Sequence, residues 1–188
     1  MRPGSSSAPA LRRTLGIGGV DKAGLLARLR AAGVRLNPLA EQLFAEAGFC
    51  TAPLPSRVEI AELTPAELGL AEGGRWAELL AQAAAQGLGE CPLELAPHLR
   101  LALLDQPEGS MGQVATQHRA PPGSITVVSA ALSADEELPK GFYLRCIDGV
   151  QWLRGYRSWP GHHWSADDRL VFLCTAHTAE PGDAARRR

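Results

Sequence analysis

Apolar residues recur with helical spacing through the first half of the chain and alternate through the second, and the change falls near Cys91. Asp21 is placed to cap a helix that carries Leu25, Leu26 and Leu29 on one stripe, with Gly33 placed to end it. Asn37 and Pro38 open a second helix, in which Leu39, Leu43, Phe44 and Ala47 form the apolar side and Gly48 is the stop. Residues 58–63 alternate well enough for a short strand. Thr64-Pro65-Ala66-Glu67 combines a capping box with a proline suited to a first turn and predicts a short helix. A longer one is predicted over 75–86, with Trp76, Leu79, Leu80 and Ala83 on one face.

Beyond Cys91, short runs between Pro, Gly and Asp turns predict strands over 98–104, 124–129, 142–147, 150–156 and 169–174. Four helices before five strands define an α+β fold, with N-terminal helices packed on one face of a mainly antiparallel C-terminal sheet of about five strands. The expected organisation is a flexible leader at 1–20, one domain at 21–175 and a flexible tail at 176–188. The domain is expected to be mainly helical over 21–90 and mainly β over 91–175. The leader is rich in Gly, Ser, Pro and Ala, and Val20 directly precedes the first helix signal, so a native start there is one reading of it. The long connection at 105–123 is of the kind that carries function.

The sharpest local pattern is GFYLRCIDGVQWLRGY, residues 141–156. Asp148-Gly149 between two strand-forming runs suits a type I′ turn, in which both central residues need positive φ. That turn sets Ile147 opposite Val150 and, step by step, Phe142 opposite Gly155. Alternation then gives a core face of Phe142, Leu144, Cys146 and Leu153 and an outward face of Tyr143, Arg145, Trp152 and Arg154.

Composition narrows the partners. Apolar residues make up 45%, charged residues 21%, and the formal net charge is -1, which argues against disorder and against a bulk polycation. A nucleic acid would have to be met by a local patch. The first twenty residues lack a secretory apolar core, and no segment approaches the roughly 18 apolar residues of a membrane span, so a cytoplasmic protein without a membrane partner is expected. Cys50, Cys91, Cys146 and Cys174 are far apart without a C-x-x-C pair. They read as reduced core thiols, with disulfides left open by the even number.

The segments GLGECPLELAPHLRLALLDQPEG, QHRAPPGSITVVSAALS, LPKGFYLRCIDGVQWLRGY and WSADDRLVFL resemble a family of small bacterial proteins of unassigned function, some of whose members carry the label helicase. The resemblance spans about residues 21–174 and implies fold boundaries, with no catalytic residues to carry over. The glycine cluster at 16–22 has no Gly before Lys22 and no Ser or Thr after it, unlike a phosphate-cradling G-x-x-x-x-G-K-[ST] loop.

The first candidate site is the outward hairpin face, extended by His98 and Arg100 if the predicted strand at 98–104 buries Leu99, Leu101 and Leu103. Guanidinium groups over aromatic rings keep N–H groups free for phosphate or carboxylate. His98, Arg100, Tyr143, Arg145, Trp152 and Arg154 therefore suit an anionic ligand, with single-stranded nucleic acid or a nucleotide as the leading case. The structural reading of the same residues is ordinary cross-strand pairing. His162, His163, Asp167 and Asp168 have metal-ligand chemistry but no recognised ligand spacing. Cys91, Glu94 and His98 have the chemistry of a nucleophile, an acid and a base. Ser124 lacks a G-x-S-x-G elbow, and His118 and Arg119 sit in the long connection. The balance favours a non-enzymatic binding or accessory protein needing no cofactor. A small metal-dependent or Cys–His enzyme and a subunit of a protein assembly are the alternatives.

Overall fold

The computed structural model describes residues 11–109 and 121–175. Along them run β1 (Leu11–Ile17), α1 (Lys22–Ala31), β2 (Arg35–Leu36), α2 (Pro38–Ala45), β3 (Ser56–Leu63), β4 (Gly74–Arg75) and α3 (Trp76–Ala85). Then come β5 (Leu88–Gly89), α4 (Leu95–Ala102), β6 (Ile125–Val127), β7 (Gly141–Ile147), β8 (Val150–Tyr156), β9 (His163–Trp164) and β10 (Arg169–Cys174). The fold is α+β, built on an eight-stranded mixed sheet in the order β1-β3-β10-β6-β7-β8-β2, with β5 also pairing to β10. A separate two-stranded ribbon joins β4 to β9.

Two expectations change here. The sheet has eight strands instead of about five, because the N-terminal half supplies β1, β2, β3 and β5. Residues 11–17, expected to be part of a flexible leader, form a full antiparallel ladder with β3, from Leu11 opposite Glu62 to Ile17 opposite Ser56. Leu15 and Ile17 are buried there. The remaining leader residues and the tail at 176–188 lie outside the described residues.

Local chemistry explains the helices. The Asp21 side chain accepts from Gly24 N at 2.8 Å and starts α1, and Gly33, at φ 71°, turns the chain out after it. Asn37 caps α2 through Ala40 N, with Pro38 at its first turn. At Thr64 the capping box forms, with Glu67 Oε2 accepting from Thr64 N at 2.7 Å, but it closes turns in place of the expected short helix.

Two hydrophobic clusters form. Leu29, Leu43, Phe44, Leu95 and Leu99 from α1, α2 and α4 pack with Leu15, Ile60, Phe142, Leu144, Leu153 and Val171. Leu79 and Ala83 from α3 pack with Leu63, Leu170, Phe172 and Trp164. The helices therefore divide between two clusters.

The 98–104 strand is overturned. Its Leu99, Leu101, Leu103 alternation competes with a helical set of Leu95, Ala96 and Leu99, and burial of the helical set wins. Pro97 fits because it falls in the first turn, where its missing N–H would have had no helical partner.

Candidate functional site

The hairpin forms in the expected register, with Tyr143 opposite Arg154, Arg145 opposite Trp152 and Phe142 opposite Gly155. Asp148 and Gly149 take φ of 52° and 71°, as a type I′ turn requires. Phe142, Leu144, Cys146 and Leu153 are buried, while Tyr143, Arg145, Trp152 and Arg154 are half-buried on the other face.

On that face Arg154 is the hub. Its Nε donates to Tyr143 Oη at 2.8 Å, and its guanidinium carbon lies 5.2 Å from the Trp152 ring centre and 5.9 Å from that of Tyr143. Arg35 extends the face, since β2 runs parallel to β8 with Arg35 beside Trp152. Its guanidinium lies 5.9 Å from the same indole. Arg145 Nε is buried without a hydrogen-bond partner. Among the described residues, ion pairs join Arg157 to Glu137 and Arg169 to Glu62, and none involves Arg35, Arg145 or Arg154.

His98 and Arg100 do not belong to this face. Both sit on α4 and are buried, because the segment coils and carries them into the interior. His98 Nε2 accepts from Gly18 N at 3.2 Å, so its acceptor is used internally, and burial, with Arg28 adding, lowers its pKa. Arg100 donates to Gln106 Oε1 at 2.5 Å and to Leu103 O. Burial pulls its pKa down to about 10 against the opposing pull of Cys146 and Asp105, so it stays charged at neutral pH. Gln106 passes this anchorage on, donating to Gly123 O at 2.8 Å and accepting from Gln151 Nε2 at 2.9 Å. Arg100 thus braces the hairpin from its core side.

The aromatic rings continue past the hairpin. Tyr143 lies 6.4 Å from Tyr156, Tyr156 lies 5.8 Å from Trp164, and Trp164 lies 5.4 Å from Trp76. His162 stands 5.0 Å from both Trp164 and Trp159. All four tryptophans and both tyrosines of the chain lie along this side, where Trp164 also belongs to the second cluster with Trp76 and Tyr156 packed against it, and Phe44, Phe49, Phe142 and Phe172 lie within the two clusters. The band ends in a cleft of about 410 Å³ walled by Trp76, Tyr156, Trp159 and Trp164, with Ser129 and Lys140 in its lining. Ser129 Oγ and Trp164 Nε1 are buried without partners, an arrangement that costs about 1–3 kcal/mol per group when nothing satisfies it. Burial, with Glu90 adding, pushes the Tyr156 phenol well up, so it remains protonated.

The other candidate groups do not converge. Cys91 Sγ donates to Val171 O at 3.6 Å, and burial raises its pKa strongly, which opposes a thiolate. Its hydrogen bond goes to a different partner from that of His98. His163 Nε2 meets Glu72 O at 2.9 Å, and Asp168 Oδ2 accepts from Ser165 N at 2.8 Å. Among the described residues no three His, Cys, Asp or Glu side chains form a metal-holding group. All four cysteines are free thiols, Cys91 and Cys146 buried, Cys174 half-buried and Cys50 exposed. The Gly18 and Gly19 amides are taken by His98 and Ala52 O, so the glycine cluster offers no free cradle there. Among the described residues no helix is long and apolar enough to cross a membrane. His118 and Arg119 lie outside the described residues.

Sequence reasoning missed Arg35 and the cleft. Arg35 belongs to a two-residue strand, too short to leave a period, and the cleft joins segments 76–80, 129–140 and 156–164. The usable signal was the closeness of Trp152, Tyr156, Trp159 and Trp164 along the chain, three of them beyond the alternating core positions of the hairpin. Comparison with family models, curated proteins and solved structures finds no match to this chain, so the functional reading rests on the site itself.

Proposed function

We propose that the protein binds single-stranded nucleic acid along this band, its arginines meeting phosphates and its rings stacking bases. The observation that carries the reading is the grouping of Arg35, Arg145 and Arg154 around Trp152 and Tyr143 without a carboxylate partner among the described residues. Three guanidinium groups in one patch, without an ion pair among the described residues, attract a polyanion locally despite the net charge of -1. The rings hold two of them in place, so little side-chain freedom remains to be lost on binding. Each stacked base contributes about 1–3 kcal/mol. Helices α1, α2 and α4 back the sheet from the opposite side in this reading, while α3 packs on the band's own side beside β3 and β10 and contributes Trp76 to it. The protein is then a cytoplasmic, non-enzymatic accessory factor.

The test is a titration of short DNA and RNA oligomers at low and moderate salt, with an Arg145→Ala, Arg154→Ala double variant beside the parent. Saturable binding that weakens at least tenfold in the double variant is expected. Absence of binding by the parent at low salt, or equal binding by the folded double variant, overturns the reading.

A further inference from the structure

The geometry points to a second subsite, resting on the nucleic-acid reading above: the cleft at the end of the aromatic band takes one unstacked nucleobase. Its volume of about 410 Å³ falls in the range of small-ligand pockets. Trp76, Tyr156, Trp159 and Trp164 give it flat walls at differing tilts, with 42° between Trp76 and Trp164 and 85° between Tyr156 and Trp164. These rings pack on one another at 5.4 and 5.8 Å between centres, so a planar guest lies against them, not between them, and meets π-faces and ring edges together. The charge in the lining selects among ring-like guests. Lys140 Nζ is held by Ser133 O at 2.9 Å and Asp135 O at 2.6 Å, fixing a positive charge in the wall. Glu136 stands in the same lining, so the wall carries one charge of each sign, which favours a neutral guest over a full cation or anion, and the apolar walls oppose a bare phosphate.

A neutral heteroaromatic ring satisfies both conditions. Ser129 Oγ and Trp164 Nε1, unpaired but covered beneath the cleft surface, become partners for the ring's edge acceptors only when a lining side chain turns. The connection to the arginines is direct, because Tyr143 receives the Arg154 hydrogen bond and its ring lies 6.4 Å from Tyr156 of the cleft. A nucleotide seated in the cleft keeps its phosphate toward Arg154. The base belongs either to a free nucleotide or to a strand, and both present the same ring chemistry.

The experiment uses two probes, nucleoside 5′-monophosphates and oligomers carrying a single 2-aminopurine, whose fluorescence stacking quenches. Two variants alter the cleft at exposed lining positions: Ala77→Trp fills it, and Trp159→Ala removes a wall. Circular dichroism and thermal melting establish which variants are folded. Each folded variant is expected to lose at least tenfold in affinity for the monophosphates and to relieve 2-aminopurine quenching, while the oligomers keep a salt-dependent attachment. The Arg145→Ala, Arg154→Ala double variant should do the reverse for oligomers. If the parent binds oligomers and the folded cleft variants bind and quench as it does, the base pocket is overturned while the nucleic-acid reading stands. Binding of monophosphates without oligomers keeps the pocket, assigns it to free nucleotides and overturns the strand reading. Binding of neither probe overturns both.

Discussion

Asn37 grips both backbone groups of Gly155: its Nδ2 donates to Gly155 O at 3.0 Å, and its Oδ1 accepts from Gly155 N at 2.8 Å. The same oxygen accepts from Ala40 N at 3.0 Å, so one side chain caps α2 and extends the pairing of β2 along β8. Gly155 permits the approach, since a Cβ there would lie 2.6 Å from Leu39 C and 2.7 Å from Ala40 N. This clamp holds Arg35 over Trp152.

Replacing Asn37 by Ala removes the cap and unpairs two strand groups, and should cost about 1–3 kcal/mol in chemical denaturation. Gly155→Ala should cost at least about 2 kcal/mol by overpacking, because the new methyl meets backbone that cannot rotate away. Either change should also weaken oligomer binding by displacing Arg35. Unchanged stability in both would show that the clamp carries no weight.

Salt dependence tests how many arginines meet phosphate. For single strands each neutralised phosphate contributes about 0.7 to the slope of log K against log salt, so three arginines predict a slope near -2. Replacing Arg35, Arg145 or Arg154 singly by Ala should each flatten it by about 0.7. A parent slope near zero would remove the phosphate contacts from the account.

Stability should fall with pH below the ordinary histidine value of 6.5, because of His98. Its pKa is lowered in the folded protein, so between that lowered value and 6.5 the unfolded chain binds the extra proton and unfolding is favoured. The contribution is fully present above 6.5 and is lost as pH drops through the folded value. A His98→Gln variant should show a flatter stability profile between pH 7 and 5 in denaturant melts. An unchanged profile would place the acid sensitivity elsewhere.

Arg100 and Leu144 test the brace beneath the hairpin. Arg100→Ala leaves a cavity, unpairs Gln106 Oε1 and leaves Leu103 O only its bond from Gln106 N, with an expected loss of about 2–5 kcal/mol. Leu144→Asp sets an unpaired charge at a fully buried position and should prevent folding. If Arg100→Ala melts as the parent does while still binding oligomers, the brace is unnecessary.

The hairpin was legible because the Asp148-Gly149 turn and strict alternation on both arms agree, which leaves one register. The starts of α1 and α2 were legible through Asp21, Asn37 and Pro38, whose chemistry acts within one turn. β1 was hidden because Arg13 interrupts its apolar side, and its stability comes from a partner about forty to fifty residues away. α4 was misread because two periods fit the same leucines and only tertiary burial chooses between them. At the site, four of the six expected residues share the face, while His98 and Arg100 followed the misread helix inward. The strand order of the large sheet was beyond any local pattern.

That order governs when the molecule can form. β10 lies between β3 and β6, so the last strand of the described chain joins the ladder of β1 and β3 to the ladder of β6, β7, β8 and β2. A chain emerging from the ribosome has made every other strand before Arg169 appears, and until then β3 and β6 each present an unpaired edge. The nascent protein must hold two half-sheets apart from other chains before its final strand closes them. Folding is therefore a late, long-range event, and the interval before closure is when aggregation competes with it.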